Sequence, residues 1–315
     1  MKPIKTAVIG VGYLGRFHAE KYATLPDSEL VAVADVHQEA AQAVATELGV
    51  EAVADYRDLL GRVDAVSIVV PTRLHHTVAK AFLEHGAHVL VEKPITVTVE
   101  EAEDLIRTAD AHGRILQVGH LERFNSAVLA LEHVLKTPLF IESSRIAPFK
   151  PRGTDVSVVL DLMIHDIDII QSVVRSPITK IDASGAQVLS QDIDIANARL
   201  QFANGCVANI TASRTSLKTE RRMRIFQQDA YIAVDFGDKK LTVYRKSDKE
   251  MFPGVPEIAS QETAFQSSDA LKAEIGTFLD SIRNGTPPVV SGEDGKRALE
   301  TALEIGRLLG GSSAL

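Results

Sequence analysis

Apolar and polar positions in the first 120 residues follow two interleaved rhythms. Short apolar runs at 6–9, 30–34, 65–70, 88–91 and 115–118 are bounded by turn residues, and stretches at 14–25, 38–48, 75–85 and 99–112 between them carry apolar positions at helical spacing. Strands alternating with helices at this spacing predict βαβ units and a parallel sheet. A short segment at 51–56 reads as a third strand.

Beyond residue 120 the pattern changes. A helix-like stretch at 126–135 leads into an alternating run at 139–146, a proline-containing loop at 148–153, and a second helix at 156–174. Period-two alternation then dominates from 178 to 246, with strands at 196–202, 206–213, 222–228, 231–236 and 241–244 and turn signals such as Asn204-Gly205 between them. Residues 246–268 read as an exposed loop, and helices at 270–283 and 293–309 close the chain. The expected fold is therefore α/β in two domains. Residues 1–120 form a Rossmann-type α/β domain, and residues 121–315 form an α+β domain with a large, mostly antiparallel, open-faced sheet.

A chain of 315 residues with 45% hydrophobic and 24% charged positions can bury two ordinary cores. Its net charge of −8 opposes nucleic acid and anionic membrane as partners. The single cysteine, Cys206, excludes an internal disulfide framework and suits a reducing compartment. With no apolar leader and no run long enough to span a bilayer, the expected location is the cytoplasm.

Gly10-Val11-Gly12-Tyr13-Leu14-Gly15 follows a predicted strand and opens a predicted helix. In that context Gly10 allows the tight turn, Gly12 lets a diphosphate approach the backbone, and Gly15 lets helix and strand pack closely. The diphosphate then sits on the helix N-terminus. Asp35, at the end of the second strand, is placed to hydrogen-bond ribose hydroxyls and to repel a 2′-phosphate, which favours NAD over NADP. Lys93, in Glu92-Lys93-Pro94 after the fifth strand, stands where open α/β sheets bind ligands and can hold a substrate oxygen during hydride transfer.

In these motifs the chain resembles the glucose-fructose oxidoreductase / inositol dehydrogenase (Gfo/Idh/MocA) family of NAD(P)-dependent dehydrogenases, and the resemblance runs over nearly its whole length. Besides the glycine turn, the resemblance rests on Pro71-Thr72-Arg73-Leu74-His75, on Gly86-Ala87-His88-Val89 and on Glu92-Lys93-Pro94 at matching spacing. It implies cofactor contacts from Pro71, Thr72, His75, Glu92 and Lys93, a catalytic role for Lys93, and a cis peptide before Pro94 that fixes the lysine's direction. The family's second-domain motif, acid-x-glycine-x-histidine, is matched by Asp161 and His165, with Met163 in the glycine position. Four residues apart on a helix, Asp161 and His165 share a face and can point into the interdomain cleft. The methionine bears on local backbone geometry and on substrate clearance.

The implied reaction removes a proton from a secondary hydroxyl while its carbon gives hydride to NAD. His165 is the candidate base, Asp161 its orienting or substrate-binding carboxylate, and Lys93 the holder of the substrate oxygen; either Lys93 or His165 can take the proton. No metal is expected, because Asp166 and Asp168 beside His165 lack a second His or Cys at ligand spacing. Residues 117–125 and 145–155 resemble the branch of bacterial sugar-nucleotide dehydrogenases acting on the 3-hydroxyl of UDP-N-acetylglucosamine, for lipid A or surface polysaccharide. Arg123, Lys150 and Arg152 can supply cations for a diphosphate substrate, alongside Asp161 and His165. Alternatives are an inositol or free-sugar dehydrogenase and a non-catalytic NAD-binding regulatory protein of the same fold; a glycosidase or deoxygenating enzyme starting with the same oxidation is a third. The basic run 214–224 reads as a hairpin with solvated charges, and His18, His76, His112 and His133 read as surface or capping residues. The resemblance further implies a homodimer or homotetramer built on the open sheet face.

Overall fold

Six runs of mostly apolar residues line up as β1 (Ile4–Ile9), β2 (Ser28–Ala34), β3 (Glu51–Val53), β4 (Ala65–Ile68), β5 (His88–Glu92) and β6 (Leu116–Gly119). The computed structural model describes residues 2–149, 157–266 and 268–310. The strands form one parallel sheet in the order β3-β2-β1-β4-β5-β6. Helices α1 (Tyr13–Thr24), α2 (Gln38–Leu48), α3 (His75–Glu84) and α4 (Val99–Ala111) make the crossovers. Every residue of β4 is buried, as expected of a strand covered on both faces. Local signals set the helix ends: α2 stops at Gly49 in the left-handed region, and α4 starts with a reciprocal Thr98–Glu101 capping box. The strand order reverses between β1 and β4, so a ligand crevice opens at their carboxyl ends, next to Gly10.

Next come two short helices, α5 (Ser126–Leu129) and α6 (Leu131–Val134), in place of the single helix expected over 126–135. They precede β7 (Pro138–Pro148), a π-helical turn (Val159–Met163) and α7 (Ile164–Val174). An eight-stranded sheet follows from β7 together with β8 (Ile178–Ala186), β9 (Ile195–Phe202), β10 (Val207–Ser216), β11 (Glu220–Gln227), β12 (Ala230–Asp235), β13 (Lys240–Phe252) and β14 (Val255–Ala264). Its order is β14-β13-β12-β11-β7-β10-β9-β8, antiparallel throughout except where β7 and β10 run parallel. The region expected as a loop over 246–268 is instead the end of β13 and all of β14, a hairpin exposed along most of β14.

One face of this sheet is buried through Ile141, Met223, Ile225, Ile232 and Val234. The other carries a cross-strand aromatic ladder: Phe140 and Phe226 have ring centroids 6.0 Å apart, Phe226 stacks on Tyr231 at 4.9 Å, and Tyr231 on Tyr244 at 5.0 Å.

The chain ends with α8 (Ala270–Asn284) and α9 (Gly292–Leu308). Two compact units result, residues 1–121 with 269–299 and residues 122–268 with 300–315. A single cut at residue 120 therefore misses a return segment: Ile275, Phe278 and Leu279 of α8 are buried in the core of the first unit with Val8, Ala19, Tyr22 and Val33. No helix among the described residues is long and apolar enough to cross a membrane.

Candidate functional site

In the first unit the glycine turn has the geometry its sequence requires. Gly10 has φ +87°, and a Cβ there would lie 2.6 Å from Val69 O. At Gly15 a Cβ would meet Gly10 O at 1.8 Å, whereas at Gly12 it would meet nothing within 4 Å. Gly12 is the N-cap of α1, with no side-chain cap and no acid in the first turn, so the helix's first N–H groups and positive dipole end suit an anion. Tyr13 and Leu14 are exposed beside it. The Asp35 carboxylate ties the turn to β2, accepting the Val11 N–H at 2.9 Å and the His37 N–H at 2.8 Å. Each oxygen keeps a lone pair for a ribose hydroxyl.

Pro71 and Thr72 open a 3₁₀ turn after β4, and Leu74 N–H closes it on Pro71 O. His75, expected to contact the cofactor, is buried, and its ring is committed to the protein. Nδ1 lies 2.9 Å from Pro94 O and Nε2 2.9 Å from Val70 O. Burial holds this imidazole below its usual pKa against the pull of the two carbonyls. The ring thus joins the end of β4 to the residue after Lys93, across a Lys93–Pro94 bond that is cis.

Lys93 itself is half-buried at the carboxyl end of β5. The Glu92 side chain points inward: one oxygen lies 3.1 Å from His18 Nε2, and the other accepts the Lys93 amide N–H at 3.2 Å. His18, expected at the surface, is 2% exposed and also bonds Ser67 Oγ at 3.1 Å. Its position three residues after Gly15, with Ala19 and Tyr22 on the same helical face, is the sequence signal that marks it as internal. His76 pairs with Asp104 at 2.8 Å, and His112 bonds Thr108 O at the end of α4.

In the second unit Asp161 sits in the π-helical turn and His165 in the first turn of α7. Both are partly exposed, and four residues across this junction return close to the same face. Met163 is fully buried with ordinary right-handed helical backbone, φ −65° and ψ −31°. Glycine is therefore not needed for the local conformation, and the methionine side chain is part of this unit's core.

The acids beside His165 are buried. Asp166 is buried against Arg145 Nε at 2.5 Å and Ser143 Oγ at 2.7 Å. Burial disfavours charge on Arg145, but Asp166 and Glu122 outweigh it and hold the guanidinium above its usual pKa. Asp168 lies 3.6 Å from Arg123 Nη1. Arg123, read as a substrate-binding cation, is thus engaged by an internal acid. Arg214, read as solvated, is buried on Asp194 at 2.9 Å, and Arg221, Arg222 and Arg224 pair with Glu122, Asp235 and Glu142. Lys150 and Arg152 lie outside the described residues. Among the described residues no group of three His, Cys, Asp or Glu is arranged to hold a metal.

Comparison with known proteins places this geometry. The model of an oxidoreductase family with an NAD-binding Rossmann fold matches residues 4–120, and that of the GFO/IDH/MocA C-terminal domain matches residues 143–233. A UDP-N-acetylglucosamine 3-dehydrogenase from Acidithiobacillus ferrooxidans is 41% identical over 303 residues, covering 96% of each chain. A scyllo-inositol 2-dehydrogenase (NAD(+)) from Bacillus subtilis is 27% identical, covering 95% of this chain and 92% of its own. A solved structure of the Acidithiobacillus enzyme superposes with a TM-score of 0.91 at 39% identity, covering 98% of each chain. A glycine turn open to a dinucleotide, the Asp35 carboxylate behind it and full-length similarity agree, and the chain belongs to the Gfo/Idh/MocA family of NAD-binding oxidoreductases.

Proposed function

We propose that this dehydrogenase oxidises the 3-hydroxyl of UDP-N-acetylglucosamine. The observation that carries the choice of substrate is the 41% identity, over 96% of both chains, to an enzyme of that activity. Gly10, Gly12, Tyr13, Leu14, Gly15 and Asp35 hold NAD, with Pro71 and Thr72 and the backbone of Glu92 and Lys93 completing the cofactor side. NAD, when bound, accepts the hydride from the substrate carbon. Lys93 donates a hydrogen bond to the reacting oxygen and stabilises the negative charge that develops there. His165 takes the hydroxyl proton, and Asp161 orients the imidazole or binds the sugar. With Arg123 engaged by Asp168, Lys150 and Arg152 are the cations left for the substrate diphosphate.

The inositol dehydrogenases among the relatives, at 27% identity, support a second reading in which a free polyol is oxidised. The protein works in the cytoplasm on our reading, which a single cysteine, too few for an internal disulfide, supports. The ladder Phe140–Phe226–Tyr231–Tyr244 on the open sheet face supports a homodimer or homotetramer.

The test is NADH formation from NAD with UDP-N-acetylglucosamine, UDP-glucose, UDP-N-acetylgalactosamine, myo-inositol and free hexoses. A coupled aminotransferase draws off a 3-keto sugar whose formation is uphill. Turnover with UDP-N-acetylglucosamine that is lost in Lys93→Ala and His165→Ala is the expected result. Turnover of myo-inositol alone moves the assignment to the second reading, and NAD binding without any turnover refutes both.

A further inference from the structure

Behind Lys93, side chains from α1, β4 and β5 form an unbroken hydrogen-bond chain. Tyr22 Oη and Ser67 Oγ are 3.0 Å apart, Ser67 Oγ and His18 Nδ1 3.1 Å, and His18 Nε2 and Glu92 Oε1 3.1 Å. An ionised carboxylate only accepts, so Nε2–H donates to Glu92, and with the lone pair on Nδ1 the chain runs in a single direction. Tyr22 donates to Ser67, Ser67 donates to Nδ1, and Nε2–H donates to the carboxylate. The reverse direction would put the proton on Glu92 and leave the Tyr22 hydroxyl, in a fully buried residue, with no acceptor. Burial also keeps the Tyr22 phenol protonated, and therefore a donor. The chain thus ends on a negative Glu92.

Two further observations fix that charge in place. Burial works against the ionised form of Glu92, but His18 and the positive charge of Lys93 overcome it and hold the carboxyl below its usual pKa. Glu274 on α8 is fully buried, and among the described residues neither of its oxygens has a hydrogen-bond partner. Burial, and then the charge on Glu92, push Glu274 well above the carboxylate range. One carboxyl keeps its proton so that the other can stay charged. On the far side, Gly119 of β6 pairs with Glu92, and a Cβ there would come within 3.1 Å of Glu92 Cδ and Oε2. A side chain at this position would crowd the carboxylate.

We propose that Glu92 is the positioning residue for Lys93: its carboxylate, aimed by Tyr22, Ser67 and His18 and seated on Gly119, fixes the lysine backbone through the amide N–H and sets a counter-charge beside the ammonium that grips the substrate hydroxyl. This role rests on Lys93 being the group that touches substrate. It also gives α1 two tasks, because the helix whose N-terminus receives the diphosphate supplies His18 to the lysine. The titratable groups that act on the Glu92 carboxylate are His18 from α1, His75 from α3, the protonated Glu274 from α8 and Lys93 itself.

The experiment compares wild type, Glu92→Gln, Glu92→Asp and His18→Asn. Lys93 acetylation by acetic anhydride is followed by peptide mass spectrometry across pH, with exposed Lys272 as internal reference. Removing the neighbouring negative charge lowers the Lys93 midpoint by about one pH unit in Glu92→Gln while Lys272 stays put. In turnover, kcat falls at least tenfold with KM for NAD within twofold, and Glu92→Asp recovers part of the loss. An unchanged Lys93 midpoint in Glu92→Gln overturns the proposal, as does a parallel loss of kcat and NAD affinity. His18→Asn guards against misfolding at Glu92 itself and is expected to move the Lys93 midpoint in the same direction by less. Labelling needs no substrate, so a wild type inert toward nucleotide sugars would refute the substrate assignment while the Lys93 midpoint still decides the role of Glu92.

Discussion

Two glycines of one turn, three residues apart, are expected to fail in opposite ways when given a methyl group. At Gly15 the added Cβ would stand 1.8 Å from Gly10 O and 2.8 Å from Gly10 C. That is about 1.6 Å short of ordinary contact, and both obstructing atoms are backbone. Neither side can yield easily: Gly10 N–H is bonded to Ala34 O at 2.7 Å, and α1 is anchored by Ala19 and Tyr22, both fully buried. Overpacking of this kind costs about 3 kcal/mol, which lowers Tm by roughly 5–10 °C. At Gly12 the methyl meets nothing within 4 Å, and φ is −64°. Gly12→Ala therefore leaves Tm within about 2 °C of wild type, helped by the stiffer unfolded chain. What it does obstruct is the diphosphate. Losing one charge-assisted hydrogen bond at the helix N-terminus costs about 1.5–3 kcal/mol, a rise in Kd for NAD of roughly tenfold to a hundredfold. Differential scanning fluorimetry and calorimetric titration with NAD separate the two. A Gly15→Ala protein as stable as wild type, or a Gly12→Ala protein binding NAD within threefold of wild type, would refute this account of the turn.

Other substitutions probe the remaining charges. Asp35→Ser removes the carboxylate that would repel a 2′-phosphate, and kcat/KM for NADP relative to NAD should rise about tenfold, read by running both cofactors side by side. His88 is pushed down to about 4 by burial and by the Arg114 guanidinium, and its neutral Nδ1 accepts the Ile115 N–H at 2.9 Å. The unfolded chain binds that proton near pH 6.5, so the stabilisation is complete above about 6.5 and is lost as pH falls toward 4. Tm should fall less between about pH 7 and pH 5 in His88→Gln than in wild type. Arg145→Leu leaves the buried Asp166 without its cation, while Glu122 keeps Arg221, a loss of about 3–5 kcal/mol measurable by urea denaturation. Tyr231→Glu puts a charge in the middle of the aromatic ladder and should convert the proposed oligomer to monomers by light scattering.

What could be read from the chain was what lies close together along it. The glycine turn, Asp35 and Lys93 each declare themselves through contiguous residues and strand context, and the buried runs of β4 and β5 stand out without reference to anything distant. The support of Lys93 was illegible because it is assembled across the sequence: His18 meets Glu92 over 74 positions, and Glu274 comes from α8. The burial of Asp166 and Asp168 left no mark in the sequence because arginines 21 and 45 residues away determine it. The strand β14 gave no period-two pattern because nearly all its residues are exposed, so neither face is selected for apolar side chains. A π-helical turn around Asp161 leaves no trace in the apolar spacing, which it shifts by only one residue.

The burial of α8 in the nucleotide-binding core ties β1 and β2 to a helix that follows the whole second sheet. A nascent chain that has delivered all six strands of the first sheet still lacks Ile275, Phe278 and Leu279, so the core around Val8, Tyr22 and Val33 stays open until α8 has been made. A fragment ending at residue 121 is then expected to expose that apolar core. Any engineered transplant of the cofactor domain has to carry residues 269–299 with it, either through a new linker or by circular permutation.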